Sequence, residues 1–88
     1  MTNYKIEIAE SIEKTLKKLP QKDKKRILEK INALANNPRP EGYRKLQGSR
    51  RPSLYRIRSG IYRIIYVIKD EILLVLVVEI GHRKEVYK

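Results

Sequence analysis

The chain has 88 residues, too few to divide into pieces that each bury a core, so one domain spanning 1–88 is expected. It has no cysteine and one histidine, which excludes disulfides, thiol chemistry and cysteine-rich zinc sites; no metal or other cofactor is expected. Twenty-one Lys and Arg against ten Asp and Glu give a net charge of +11, which points to a polyanionic partner: RNA, DNA, an anionic membrane surface or a strongly acidic protein. Met1-Thr2-Asn3-Tyr4-Lys5 contains no apolar run of the signal-peptide kind. The longest apolar stretch, Ile72 to Val78, is too short to span a bilayer. A cytoplasmic protein with no membrane contact is therefore predicted.

In chain order, Tyr4 to Ile8 alternates polar and apolar residues, which predicts a short strand with one buried face. Ala9, Ile12, Leu16 and Leu19 then recur at helical spacing until Pro20. A second helix is predicted from the stripe Ile27, Leu28, Ile31, Leu34 and Ala35, stopped by Asn36-Asn37-Pro38 because a residue before proline avoids helical geometry. Arg39 to Pro52 has no period, carries two Pro and two Gly, and reads as a loop. Leu54–Arg58 and Ile61–Ile68 read as strands joined by a Ser59-Gly60 turn. Lys69-Asp70-Glu71 makes the next turn, and Ile72–Ile80 reads as a central strand. The order β-α-α-β-β-β describes an α+β domain, with an N-terminal strand and a helical hairpin packed on an antiparallel sheet.

Charge is distributed unevenly. The helical half mixes acids and bases, the usual pattern of a solvated face. Between Gly42 and Lys69 there are eight basic residues and no acid. With a Ser59-Gly60 turn, Arg56 lies directly opposite Arg63, and alternation puts Arg56, Arg58 and Arg63 on one face. Tyr55, Ile57, Tyr62, Ile64 and Tyr66 take the other. Opposed like charges destabilise a sheet, so an anion between them is one reading; a charged edge that resists aggregation is the other.

The tail adds Arg83, which the freedom of Gly81 can return toward the arginines, and Tyr87, either a packing residue or a general base beside guanidiniums that favour its phenolate. His82 is a structural histidine or an acid–base group. RNA supplies its own nucleophile, the 2′-hydroxyl, so arginines that hold the phosphate and stabilise charge on phosphorus suffice for much of a cleavage reaction. Cleavage and plain binding both fit these residues.

Leu54-Tyr55-Arg56-Ile57-Arg58, Ser59-Gly60-Ile61-Tyr62-Arg63-Ile64-Ile65-Tyr66 and Ile80-Gly81-His82-Arg83-Lys84-Glu85-Val86-Tyr87 resemble the RelE family, the toxins of type II toxin–antitoxin modules. Lys18-Leu19-Pro20, Asn37-Pro38-Arg39-Pro40 and Lys45-Leu46-Gln47-Gly48 extend the resemblance over essentially the whole chain. It implies a fold like the microbial ribonucleases and an mRNA interferase that cuts the codon in the ribosomal A site by 2′-hydroxyl attack, with no metal. It places a catalytic basic pair at Arg56 and Arg58, where the best-known member has lysines. Arg63 becomes a phosphate ligand, Arg83 a transition-state stabiliser or leaving-group acid, and Tyr87 a base-stacking residue and candidate general base. His82 is a further candidate; Lys45, Arg50 and Arg51 would bind ribosomal RNA. Implied partners are the ribosome, mRNA and a cognate antitoxin with an acidic segment, through which the complex could bind operator DNA. Two alternatives share the fold: a ParE-like gyrase inhibitor and a non-catalytic nucleic-acid-binding or corepressor module.

Overall fold

The structure is a computed structural model that describes residues 3–46 and 54–82, the last of them by its backbone alone. Strand β1, Lys5–Ile8, turns Ile6 and Ile8 inward and leaves Lys5 and Glu7 exposed, as its alternation requires. Helix α1, Glu10–Lys17, buries Ile12 and Leu16; Glu10 and Glu13 in its first turn and Lys14 and Lys17 in its last oppose the helix dipole, in place of a side-chain cap. Pro20 caps the start of α2, Gln21–Ala33, whose Ile27 and Ile31 are fully buried.

Arg44–Leu46 forms a strand, β2, inside the segment expected to be a loop. β3 is Leu54–Ser59, β4 is Tyr62–Lys69, and β5 is Leu74–His82. Asp70–Ile72, a single 3-10 turn, links β4 to β5. The five strands lie in the order β1-β5-β4-β3-β2. β1 runs parallel to β5 while the other pairs are antiparallel, so the sheet is mixed rather than wholly antiparallel.

Both helices cover one face. Ile12, Leu16, Ile27, Ile31 and Leu34 meet Tyr55, Ile57, Ile64 and Tyr66 of the central hairpin, with Val75, Val77 and Ile80 of β5. The opposite face of the sheet carries the charge. Among the described residues no helix is long and apolar enough to cross a membrane.

Candidate nucleic-acid interface

The β3–β4 hairpin pairs Ser59 with Tyr62, Arg58 with Arg63, Ile57 with Ile64 and Arg56 with Ile65. The turn is therefore Gly60-Ile61, not Ser59-Gly60, and Arg58 rather than Arg56 stands opposite Arg63. Gly60 sits at φ +60°, and a positive φ at the first of two turn residues is what a II′ hairpin demands of glycine. Each residue thus faces one two positions further along the partner than the expected turn would place it. Side chains alternate, so this leaves every face assignment intact. Arg56, Arg58 and Arg63 share the face away from the helices.

The same face holds an arginine that sequence reading did not single out. Arg44 on β2 pairs directly with Arg56, and it is exposed. Its neighbour Lys45 pairs with Tyr55 and so belongs to the other face, apart from the arginines. A three-residue strand leaves too short an alternation to read from sequence, so neither placement was visible there. Arg56 and Arg63 are 9% and 6% exposed, whereas Arg58 is open to solvent. The Nε atoms of Arg56 and Arg63 are buried with no hydrogen-bond acceptor, although both residues make other interactions. The buried pair is held in place by its surroundings and the exposed Arg58 is free to adjust. Paired residues across antiparallel strands lie about 4.5–5.5 Å apart at Cα, so Arg58 and Arg63 can close on one phosphate together.

Beyond β4 the face continues onto β5, where Gly81 pairs with Arg63 and Glu79 with Ile65. The register shifts between Ile65 and Tyr66, which pairs with Val77, so Val78 is the extra residue of a β-bulge. The backbone of His82 pairs with Tyr62, one position past the Arg63–Gly81 pair. Arg50, Arg51, Arg83 and Tyr87, together with the side chain of His82, lie outside the described residues.

Most tyrosines in the described residues serve the fold. Tyr55 and Tyr66 stack in the core with centroids 5.9 Å apart, Tyr43 lies 5.9 Å beyond Tyr55, and the Arg39 guanidinium rests 5.4 Å from the Tyr55 ring centroid. The Tyr66 hydroxyl donates to the Pro38 carbonyl at 2.7 Å, and burial pushes its phenol up to about 12. Asp70 accepts from the Tyr4 hydroxyl at 2.6 Å and from Arg39 Nη2 at 3.0 Å. The Arg39 hydrogen bond first, then that of Tyr4, holds the Asp70 carboxyl below its ordinary value. The Tyr62 hydroxyl donates to Asp23 at 3.3 Å and ties β4 to α2. These contacts fasten the loop after α2 and the β4–β5 turn to the sheet, and they lie off the arginine face.

Two helices on one side of a mixed five-stranded sheet, with arginines crossing three strands of the other, define a small α+β fold with one basic sheet face. The family described as ParE toxin of type II toxin-antitoxin system, parDE, matches residues 6–87. The chain is 32% identical over 88 residues to the RelE1 protein of Methanocaldococcus jannaschii, covering 97% of this chain and 96% of that one. Its fold matches RelE in the archaeal RelE–RelB complex from Pyrococcus horikoshii with a TM-score of 0.82 and 29% identity, over 93% of this chain and 97% of that one. The isolated RelE toxin of Escherichia coli matches with a TM-score of 0.75 and 31% identity, over 96% and 90% of the two chains. The chain belongs to this family, as a RelE-type toxin of a type II toxin–antitoxin system.

Proposed function

We propose that this toxin is an endoribonuclease that cuts mRNA in the ribosomal A site by attack of the 2′-hydroxyl on the adjacent phosphate, and so stops translation in the cytoplasm. The observation that carries the reading is the Arg58–Arg63 cross-strand pair, flanked on the same face by Arg56 and Arg44. Two guanidiniums facing each other across adjacent strands make a site that favours an anion. Guanidiniums bind phosphate in a bidentate fork and stabilise the charge that builds on phosphorus. Because arginine stays protonated, Arg56 and Arg58 act here as phosphate ligands, not as proton carriers. Arg83 completes the charge stabilisation and Tyr87 stacks on a base, as the family resemblance implies; His82 is a further candidate for acid–base chemistry. Lys45, Arg50 and Arg51 contact ribosomal RNA around the codon.

RelE of Pyrococcus horikoshii and of Escherichia coli occurs in complexes with RelB. By analogy an antitoxin binds this chain. Opposite a net charge of +11, that antitoxin carries an acidic segment that covers the arginine face, and the complex reaches operator DNA through the antitoxin. The test is a translating extract programmed with one defined message. Wild type should cut within codons on ribosomes and leave a 5′-hydroxyl on the downstream fragment, and Arg63→Ala or Arg83→Ala should not cut. Intact message on active ribosomes refutes the reading. The match to the ParE family favours one alternative, inhibition of DNA gyrase. Loss of supercoiling activity with message left whole would establish it instead.

A further inference from the structure

Resting on the endonuclease reading, we propose that Glu79 is the general base that takes the proton from the attacking 2′-hydroxyl. Neither the charge pattern nor the family resemblance singles this residue out. The β-bulge at Val78 does. Extending the pairing of Tyr66 with Val77 along the two strands without a bulge would set Glu79 opposite Ile64, in the core beneath the helices. The extra residue reverses the phase. Ile80 enters the core opposite Ile64, and Glu79 emerges, exposed, on the arginine face opposite Ile65.

Its surroundings suit the task. Arg63 is the diagonal neighbour of Glu79 across the β4–β5 pair, a separation of about 7–8 Å that long side chains bridge. Arg56 lies one strand further, across Ile65, and Arg44 beyond it. Gly81, directly opposite Arg63, puts no side chain of its own beside Glu79 on this face. The only other carboxylate that the strand register places on this face, among the described residues, is Glu7. It sits on β1 across from Leu76, two strands and four residues from Arg63, roughly 16 Å away at standard strand spacing and rise. A carboxylate among arginines opposes the binding of phosphate, and its position here is explained if it handles a proton.

Glu79 accepts the 2′-hydroxyl proton while the 2′-oxygen forms a bond to phosphorus, and the bond from phosphorus to the 5′-oxygen breaks. The departing 5′-oxygen takes a proton from a water molecule. The hydroxide left behind recovers the proton held on Glu79. The products are a 2′,3′-cyclic phosphate and a 5′-hydroxyl.

The experiment compares wild type, Glu79→Gln, Glu79→Asp and, as a control for a remote carboxylate, Glu7→Gln. Each is given ribosomes programmed with a defined mRNA under single-turnover conditions across a range of pH. Affinity is measured in parallel on a message carrying a 2′-deoxy residue at the cleavage site. Glu79→Gln should slow cleavage by about 10²–10⁴-fold, the usual contribution of a general base, and lose the limb on which the wild-type rate rises with pH. Its affinity for the deoxy message should stay level or rise. Glu79→Asp should keep that limb at a reduced rate, and Glu7→Gln should match wild type. Should Glu79→Gln cut at the wild-type rate, or bind the message more tightly with no change in rate, the residue is a charge-balancing one and the proposal is wrong. Intact message with wild type itself would overturn the endonuclease reading and this assignment with it.

Discussion

Arg44 and Lys45 are neighbours in sequence on opposite faces of the sheet, which makes them a matched pair for asking which face meets RNA. Each phosphate neutralised on a single strand contributes about −0.7 to the slope of log affinity against log salt. With Arg58 and Arg63 sharing one phosphate and Arg56 and Arg44 holding one each, the slope should be about −2.1, a loss of roughly 20-fold in affinity between 50 and 200 mM salt. Arg44→Ala should reduce the slope to about −1.4 and the loss to roughly 7-fold. Lys45→Ala, whose proposed contact is with ribosomal RNA and not with the message, should leave both unchanged. Fluorescence anisotropy of a labelled single-stranded RNA, with 2′-deoxy residues to prevent cutting, measures the slopes directly. If the two variants shift the slope equally, or Lys45→Ala alone shifts it, RNA does not lie on the arginine face and the mechanism built there fails.

Other consequences concern the packing that holds that face in position. Tyr66→Phe removes a buried hydrogen bond and strands the Pro38 carbonyl, and should cost about 1–3 kcal/mol in urea unfolding. The same hydroxyl sets an alkaline limit. Its folded value of about 12 lies above the unfolded value near 10, so its contribution is complete below pH 10 and is lost as pH rises toward 12. Tyr66→Phe should flatten that part of the stability profile. Asp70 behaves in the opposite sense: its lowered value stabilises the fold above the ordinary carboxylate range, and that contribution is lost as pH falls through the folded value. Asp70→Asn should therefore be less stable near neutrality and less sensitive to acid, measured by thermal melts between pH 7 and 3. Gly60→Ala has open space for its methyl but must hold φ +60°, so it should destabilise by about 1 kcal/mol through the backbone alone.

The helices were legible because Ile12, Leu16, Ile27 and Ile31 recur at helical spacing, and burial on one side is the only physical reason for that recurrence. The grouping of Arg56, Arg58 and Arg63 on one face could also be read, and it survived a misplaced turn because a two-residue slip preserves alternation. The mixed sheet could not be read, since the pairing of Ile6 with Val75 is a tertiary choice that neither segment encodes locally. Nor could the bulge. Ile72 to Val78 is apolar at every position, so it offers no alternation whose phase could be seen to change, and Glu79 at its end carries no mark of the face it takes. β2 was too short, and with it Arg44 and the true placement of Lys45 were missed.

The parallel pairing of β1 with β5 also constrains how the molecule comes into being. Lys5 joins Leu74 and Ile8 joins Val77, contacts between residues 69 positions apart along the chain. Closing so long a loop costs entropy before any contact repays it, which makes this pairing a late event in folding. During synthesis the helices form early, but the first strand has no neighbour until the last one leaves the ribosome. Arg63 likewise lacks the strand that carries Gly81 and Glu79 until then. On a nascent copy the arginine face is therefore incomplete until β5 has been made.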